Sequence, residues 1–157
     1  MGLFHHVKGL GLLLPEADSD VKACGRVYFQ KELRRIGETR REFRLVPDPR
    51  NEADDPRNEA DPGTVNIYDG KTWVGWIGKG RAHHDNCAYA DALKLALLTV
   101  DEVRVVGRVR RNDSPAVEYK WSIDLRAPDP DAAAGILSSG PAKSRARRIH
   151  ALVPTGE

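Results

Sequence analysis

Residues 55–79 read DPRNEADPGTVNIYDGKTWVGWIGK, and this stretch decides the fold. It opens as a polar, proline-punctuated loop and passes into a β-prone run, Thr64 to Tyr68. Asp69-Gly70 then separates that run from a second one, Thr72 to Ile77. An Asp-Gly pair between β-prone runs is a strong hairpin signal, because the turn residues must tolerate positive φ. The remaining predicted strands and the longer helix lie on either side of this hairpin.

Working back towards the N-terminus, Arg41 to Val46 alternates Phe43 and Leu45 with Glu42 and Arg44, the period of a half-buried strand. Lys31 to Ile36 is rich in helix formers and stops at Gly37, a fitting residue beyond a helix end. Val21 to Gln30 carries β-branched and aromatic residues and reads as the first strand. Met1 to Asp20 is broken by Gly9, Gly11 and Pro15. It reads as an N-terminal arm, either loosely ordered or serving as an edge strand or interface segment through Leu10, Leu12, Leu13 and Leu14.

Just ahead of the hairpin the heptapeptide DPRNEAD occurs twice, at Asp48–Asp54 and Asp55–Asp61. Seven residues is too short a period for a solenoid. A surface-loop insertion fits better, since loop-closure entropy grows slowly with length. Beyond the hairpin, DNCAYADALKLALLT begins at a potential N-cap, Asp85. It puts Tyr89, Ala92, Leu93, Ala96 and Leu97 on one helical face. Glu102 to Arg111 reads as a strand with a bulge or bend at Gly107. Ala116 to Leu125 alternates, with Val117, Tyr119, Trp121, Ile123 and Leu125 inward, and the two runs form a long antiparallel hairpin. From Pro128 the composition turns to Ala, Pro, Asp, Ser and Gly, then to the basic cluster Lys143, Arg145, Arg147, Arg148 and His150. This reads as a flexible basic C-terminal tail.

The expected architecture is mainly β (α+β): a small six-stranded β-barrel of OB/SH3-like type with one short and one longer helix. An arm at residues 1–20 and a tail at 128–157 flank the barrel at 21–127. The chain has 157 residues, enough to bury a core without disulfides. Its formal charge of +2 does not by itself announce nucleic acid. Two cysteines, Cys24 and Cys87, make no disulfide framework. No apolar run is long enough to span a bilayer, and the short run Leu10 to Leu14 lacks a cleavage pattern. His6 stands where a myristoylation motif needs Ser or Thr. The reading is a cytoplasmic protein without a membrane partner.

The order of these elements resembles the HIRAN domain, the N-terminal module of Swi/Snf-type DNA-repair translocases, which also occurs as a stand-alone bacterial domain. The resemblance covers about Lys22 to Leu125. It rests on the aromatic pair Tyr28-Phe29 and on the loop Pro56-x-Asn58-x-x-Asp61 running into Thr64 and Val65. It also uses Val74-Gly75-Trp76-Ile77 and the basic Lys79. DNA-binding members hold the 3′ end of single-stranded DNA in a pocket. There aromatic rings sandwich the last base, an Asp accepts the 3′-hydroxyl and a basic residue meets phosphate. The resemblance therefore implies Tyr28 as a stacking face, Asp61 as the hydroxyl acceptor and Lys79 as a phosphate contact. Phe29, Asn58, Trp76 and Arg81 complete the expected nucleic-acid site. Ala60 stands where the family loop has a tyrosine, which leaves Trp76 to supply that ring from the hairpin side.

The residues themselves support single-strand binding in part. Aromatic platforms interleaved with positive charge are what it needs, and Tyr28, Phe29, Trp73 and Trp76 lie near Lys71, Lys79 and Arg81. Core packing is the other reading of each ring. His83, His84 and Cys87 lack a second cluster at zinc spacing. The acidic loop lacks EF-hand spacing. There is no phosphate loop, nucleophile elbow or cysteine triad. The expected function is a non-catalytic module, without cofactor or metal, for single-stranded or 3′-terminal DNA in repair or replication. The alternative is a protein-interaction adaptor acting through the arm or the basic tail.

Overall fold

Alternating apolar side chains drive β3 (Arg40–Pro47), β6 (Val100–Arg111) and β7 (Trp121–Arg126) into one sheet. In the computed structural model, which describes residues 7–17, 20–47, 65–78, 87–138 and 147–152, these three strands pair antiparallel with β6 in the middle. Phe43, Leu45, Val103, Val105, Val109, Ile123 and Leu125 all point to one buried face. Each such side chain contributes about 1.5–3 kcal/mol by leaving water. β4 (Val65–Asp69) and β5 (Thr72–Ile77) form the expected hairpin. Asp69 pairs with Thr72, so Gly70 and Lys71 make the turn, with Gly70 at φ +59°. The strand order is β2 (Asp20–Lys22), β7, β6, β3, β4, β5.

The protein is mainly β: a curled, largely antiparallel sheet that forms a half-barrel with few helices. It has eight strands among the described residues, where six were expected. The two additional strands come from the stretches read as arm and tail. β1 (Val7–Leu13) runs parallel to the first half of β6, and β8 (Arg147–His150) pairs antiparallel with β1. Leu10, Leu12 and Leu14 are buried in the common core. The glycines that seemed to break the arm are tolerated inside the strand. Gly11 leaves room for Ile149 and Glu102, which a Cβ would meet at 3.0 and 3.1 Å. A third helix, α3 (Pro130–Ser138), also falls in the expected tail and packs Ala133 and Ile136 into the core. It lies against α2 (Cys87–Ala96), which buries Tyr89, Leu93 and Ala96, while Leu97 is buried just past its end. The short helix α1 (Gln30–Ile36) ends at Gly37 as expected.

Three local expectations change. Val21 to Gln30 is not one strand: it is β2, then Gly25 at φ +82°, then a 3-10 turn over Arg26–Tyr28. Gly107 keeps regular register on both sides and forms no bulge. Its missing side chain instead lets Phe43 and Leu125 close over the strand, where a Cβ would meet each at 3.0 Å. β7 starts only at Trp121. Before it, the Asn112 and Ser114 side chains accept backbone N–H bonds from Ser114 and Ala116. Lys120 Nζ donates to the Ser114 and Val117 carbonyls. Asn112 N–H still reaches the Lys120 carbonyl at 2.8 Å, but these local bonds replace ladder bonds over residues 113–119, and Tyr119, expected inward, is exposed.

Glu102 and Arg44 are buried as partners of opposite charge. On the face of β6 opposite the apolar one, Glu102 is 0% exposed and Arg44 5%. The Glu102 carboxylate accepts from Arg44 Nε at 3.2 Å, Arg104 Nε at 2.6 Å and the Leu152 backbone N–H at 2.9 Å. The carboxylate therefore ties β3, β6 and the residues after β8 together. No helix among the described residues is long and apolar enough to cross a membrane.

Candidate nucleic-acid interface

The site is built where the two ends of the strand order approach each other. Just past β2, Cys24 and Trp76 exchange backbone bonds, Cys24 N–H to the Trp76 carbonyl at 2.8 Å and Trp76 N–H to the Cys24 carbonyl at 3.3 Å. Glycine is required on both sides of this crossing. A Cβ on Gly75 would lie 3.1 Å from the Cys24 carbonyl, and one on Gly25 would lie 2.2 Å from the Trp76 ring. Gly25 then turns the chain into the 3-10 turn, which presents Tyr28 outward and Phe29 inward.

Four rings meet here. Tyr28 stacks on Trp76 with centroids 6.2 Å apart and planes 29° from parallel. Phe29 meets Trp73 and Trp76 edge-on, at 5.2 and 6.2 Å. Trp73 Nε1 donates to the Gly75 carbonyl at 2.8 Å, which holds that ring in place. Exposure separates their roles: Tyr28 is 51% exposed, Trp76 6% and Phe29 1%. Phe29 and Trp76, expected as contacts, are therefore a pedestal, since a buried ring offers no face to a base. Trp76 does not replace the tyrosine missing at Ala60. It supports Tyr28 instead.

The segment that carries Tyr28 is basic. Arg26, Lys31, Arg34 and Arg35 are exposed on the 3-10 turn and α1, with Glu32 the one acid in that stretch. α1 is clamped to β7 by Gln30. Its side chain donates to the Trp121 carbonyl at 2.8 Å and accepts from the Trp121 N–H at 3.0 Å, as a neighbouring strand would. This brings half-buried Trp121 next to α1, with the Arg111 guanidinium 5.7 Å above its ring. The helix cations, Gln30 and Trp121 were not among the expected site residues. The net positive charge of the segment 26–36 is the sequence signal for the helix cations.

Of the expected residues, the structure brings Tyr28, Phe29 and Trp76 together. Asn58, Asp61, Lys79 and Arg81 lie outside the described residues, as do both copies of the DPRNEAD loop, His83 and His84. Among the described residues no three His, Cys, Asp or Glu side chains converge as metal ligands would. Cys24 is buried, with its sulfur 3.9 Å from the Gly78 carbonyl. Comparison with family models, with curated proteins and with solved structures finds no match for this chain.

Proposed function

We propose that this chain is a non-catalytic nucleic-acid-binding module of the HIRAN kind, taking single-stranded DNA or DNA 3′ ends in a repair or replication setting. The observation that carries the proposal is Tyr28. It is a half-exposed ring backed by a buried aromatic pedestal, and the 3-10 turn that carries it and the helix that follows bear four exposed cations. A base stacked on such a ring interacts through its π-face, and the neighbouring cations receive the phosphates. The strand order supports the finer fold reading. Six strands run from β2 to β5, and the Cys24–Trp76 bridge links their two ends, as in a closed OB/SH3-like barrel with β1 and β8 attached to β6.

The test is fluorescence anisotropy with a labelled single strand carrying a free 3′-hydroxyl, in low salt. Stacking contributes about 1–3 kcal/mol per base, so Tyr28→Ala weakens binding by about tenfold or more. Capping the 3′ end with phosphate weakens it further if the end itself is read. No binding by the unmutated protein sinks the proposal. Equal affinity for free and capped ends reduces it to general single-strand binding.

The adaptor reading is weaker at the arm, because Leu10, Leu12 and Leu14 are spent on the core. The basic tail remains as its contact, and Leu95 and Leu98, each about half exposed at and just past the end of α2, add an apolar one. A specific protein retained after nuclease treatment, and lost on Leu95→Ser, would favour it.

A further inference from the structure

On the opposite side of the sheet from the core, the register lines up a second group of cations. Arg40 on β3 faces Arg108 on β6, Arg108 faces Asp124 on β7, and Asp124 faces Lys22 on β2. Directly opposed residues share a face, so these four side chains form a row across four strands, about 14 Å long at the usual strand spacing. Arg110 stands two residues along β6 from Arg108, about 7 Å away. Arg126 lies on the same face of β7, opposite Asp20.

Among the described residues, cations on this face outnumber acids. Asp124 is buried between Lys22 and Arg110, with its carboxylate oxygens 2.5 and 2.6 Å from their nitrogens. Arg40 pairs with Glu16. Arg108 is exposed and makes no ion pair among the described residues. Among the described residues five cations therefore share this face with Glu16 and Asp124, and Asp20 holds the register position opposite Arg126. The Glu16 carboxyl is held below the usual carboxylate range, first by the Arg40 hydrogen bond and also by the charges of Arg40, Arg126 and Arg108. That is the expected effect of several guanidinium groups converging on one spot. Further along the same face, Arg44 and Arg104 are matched by Glu102 and Glu42, so the excess is confined to the β2–β7–β6–β3 end.

We infer that this outer sheet face is a second nucleic-acid surface, which receives the phosphate backbone of a duplex independently of the Tyr28 site. The row contains arginines, a lysine and Ser122 but no aromatic ring. A single strand is held through its bases on aromatic platforms, whereas a duplex hides its bases and is held through phosphates. Arginines fixed on strands 5–7 Å apart suit a row of phosphates. They also suit bidentate contacts that a lysine would not make.

The experiment uses the full chain and a blunt duplex of about 16 base pairs with both 3′ ends capped by phosphate, so that end recognition is not engaged. Affinity is measured by anisotropy from about 30 to 200 mM salt. About three phosphate contacts give a slope of log K against log salt near −2.7. Arg108→Gln flattens that slope by about 1 and weakens duplex binding about tenfold at 50 mM salt. It leaves single-strand affinity unchanged. Tyr28→Ala does the reverse, so failure of one site is distinguished from failure of the other. Because Arg108 is exposed and has no ion pair among the described residues, its replacement leaves the fold intact, checked by an unchanged melting curve. The inference is overturned if the duplex is not bound at low salt, if Arg108→Gln keeps the wild-type slope, or if it reduces duplex and single-strand binding alike.

Discussion

Alanine at position 25 puts a methyl group where the Trp76 ring lies. Its Cβ falls 2.2 Å from Cζ3, 2.5 Å from Cη2 and 2.7 Å from Cε3 of that ring. Carbon atoms prefer roughly 3.5–4.0 Å, so the ring must retreat by more than about 1 Å. It has little room to do so. Its backbone is bonded to Cys24 in both directions, and Tyr28, Phe29 and Trp73 pack around it. Forcing a group into a packed site costs about 1–3 kcal/mol. The backbone at φ +82° adds about 1–2 kcal/mol for an L-residue. The sum is about 2–5 kcal/mol. At about 2–4 °C per kcal/mol for a domain of this size, Gly25→Ala melts roughly 4–20 °C below wild type. Gly70→Ala is the control, with φ +59° and nothing within 4 Å of its Cβ, so it bears only the backbone cost. Both variants are melted by circular dichroism and by tryptophan fluorescence. If they melt within about 2 °C of each other, the Trp76 contact does not constrain this corner and the pedestal argument fails.

Other outcomes follow from the buried charges and from the surface. Glu102→Ala leaves Arg44 buried without its partner and costs about 3–5 kcal/mol in urea unfolding. The double variant Arg44→Met, Glu102→Leu recovers most of that loss, and a double variant as unstable as the single one would refute the charge argument. Glu16 is more acidic in the folded protein than in the unfolded chain, where its carboxyl titrates near 4.5. Its pair with Arg40 therefore stabilises the fold above that pH, and the stabilisation is lost as pH falls through the lower folded value. The melting difference between wild type and Glu16→Gln is accordingly present at pH 7 and closes as pH falls below the lowered folded value. The gap also narrows in high salt, since both side chains are exposed.

Local pattern was legible wherever one short segment carries its own constraint. Asp-Gly between β-prone runs placed the β4–β5 hairpin to within one residue. The 3.6-residue spacing of Tyr89, Leu93, Ala96 and Leu97 placed α2, and Gly37 marked the end of α1. The same reasoning failed where a distant partner decides the outcome. Gly9, Gly11 and Pro15 suggest disorder to anyone who cannot see that β6 and β8 flank the leucines between them. Gly107 suggests a bulge until Phe43 and Leu125 are found closing over it. Gly25, inside an apparent strand, bends the chain because Trp76 occupies the space a side chain would fill.

The candidate site divides in the same way. The resemblance singled out Tyr28, Phe29 and Trp76, while residue type alone offered them together with Trp73 as rings near positive charge, with core packing as the other reading of each. Only the tertiary structure decided that Tyr28 is the open face and the other two its support. Burial depends on which strands meet, and the Cys24–Trp76 contact joins segments far apart in the chain. The basic sheet face was invisible for the same reason: Arg40, Arg108 and Lys22 come from three separate segments and share a surface only through strand register. Sequence determines which side of its own strand a residue takes. The pairing of strands determines what stands beside it.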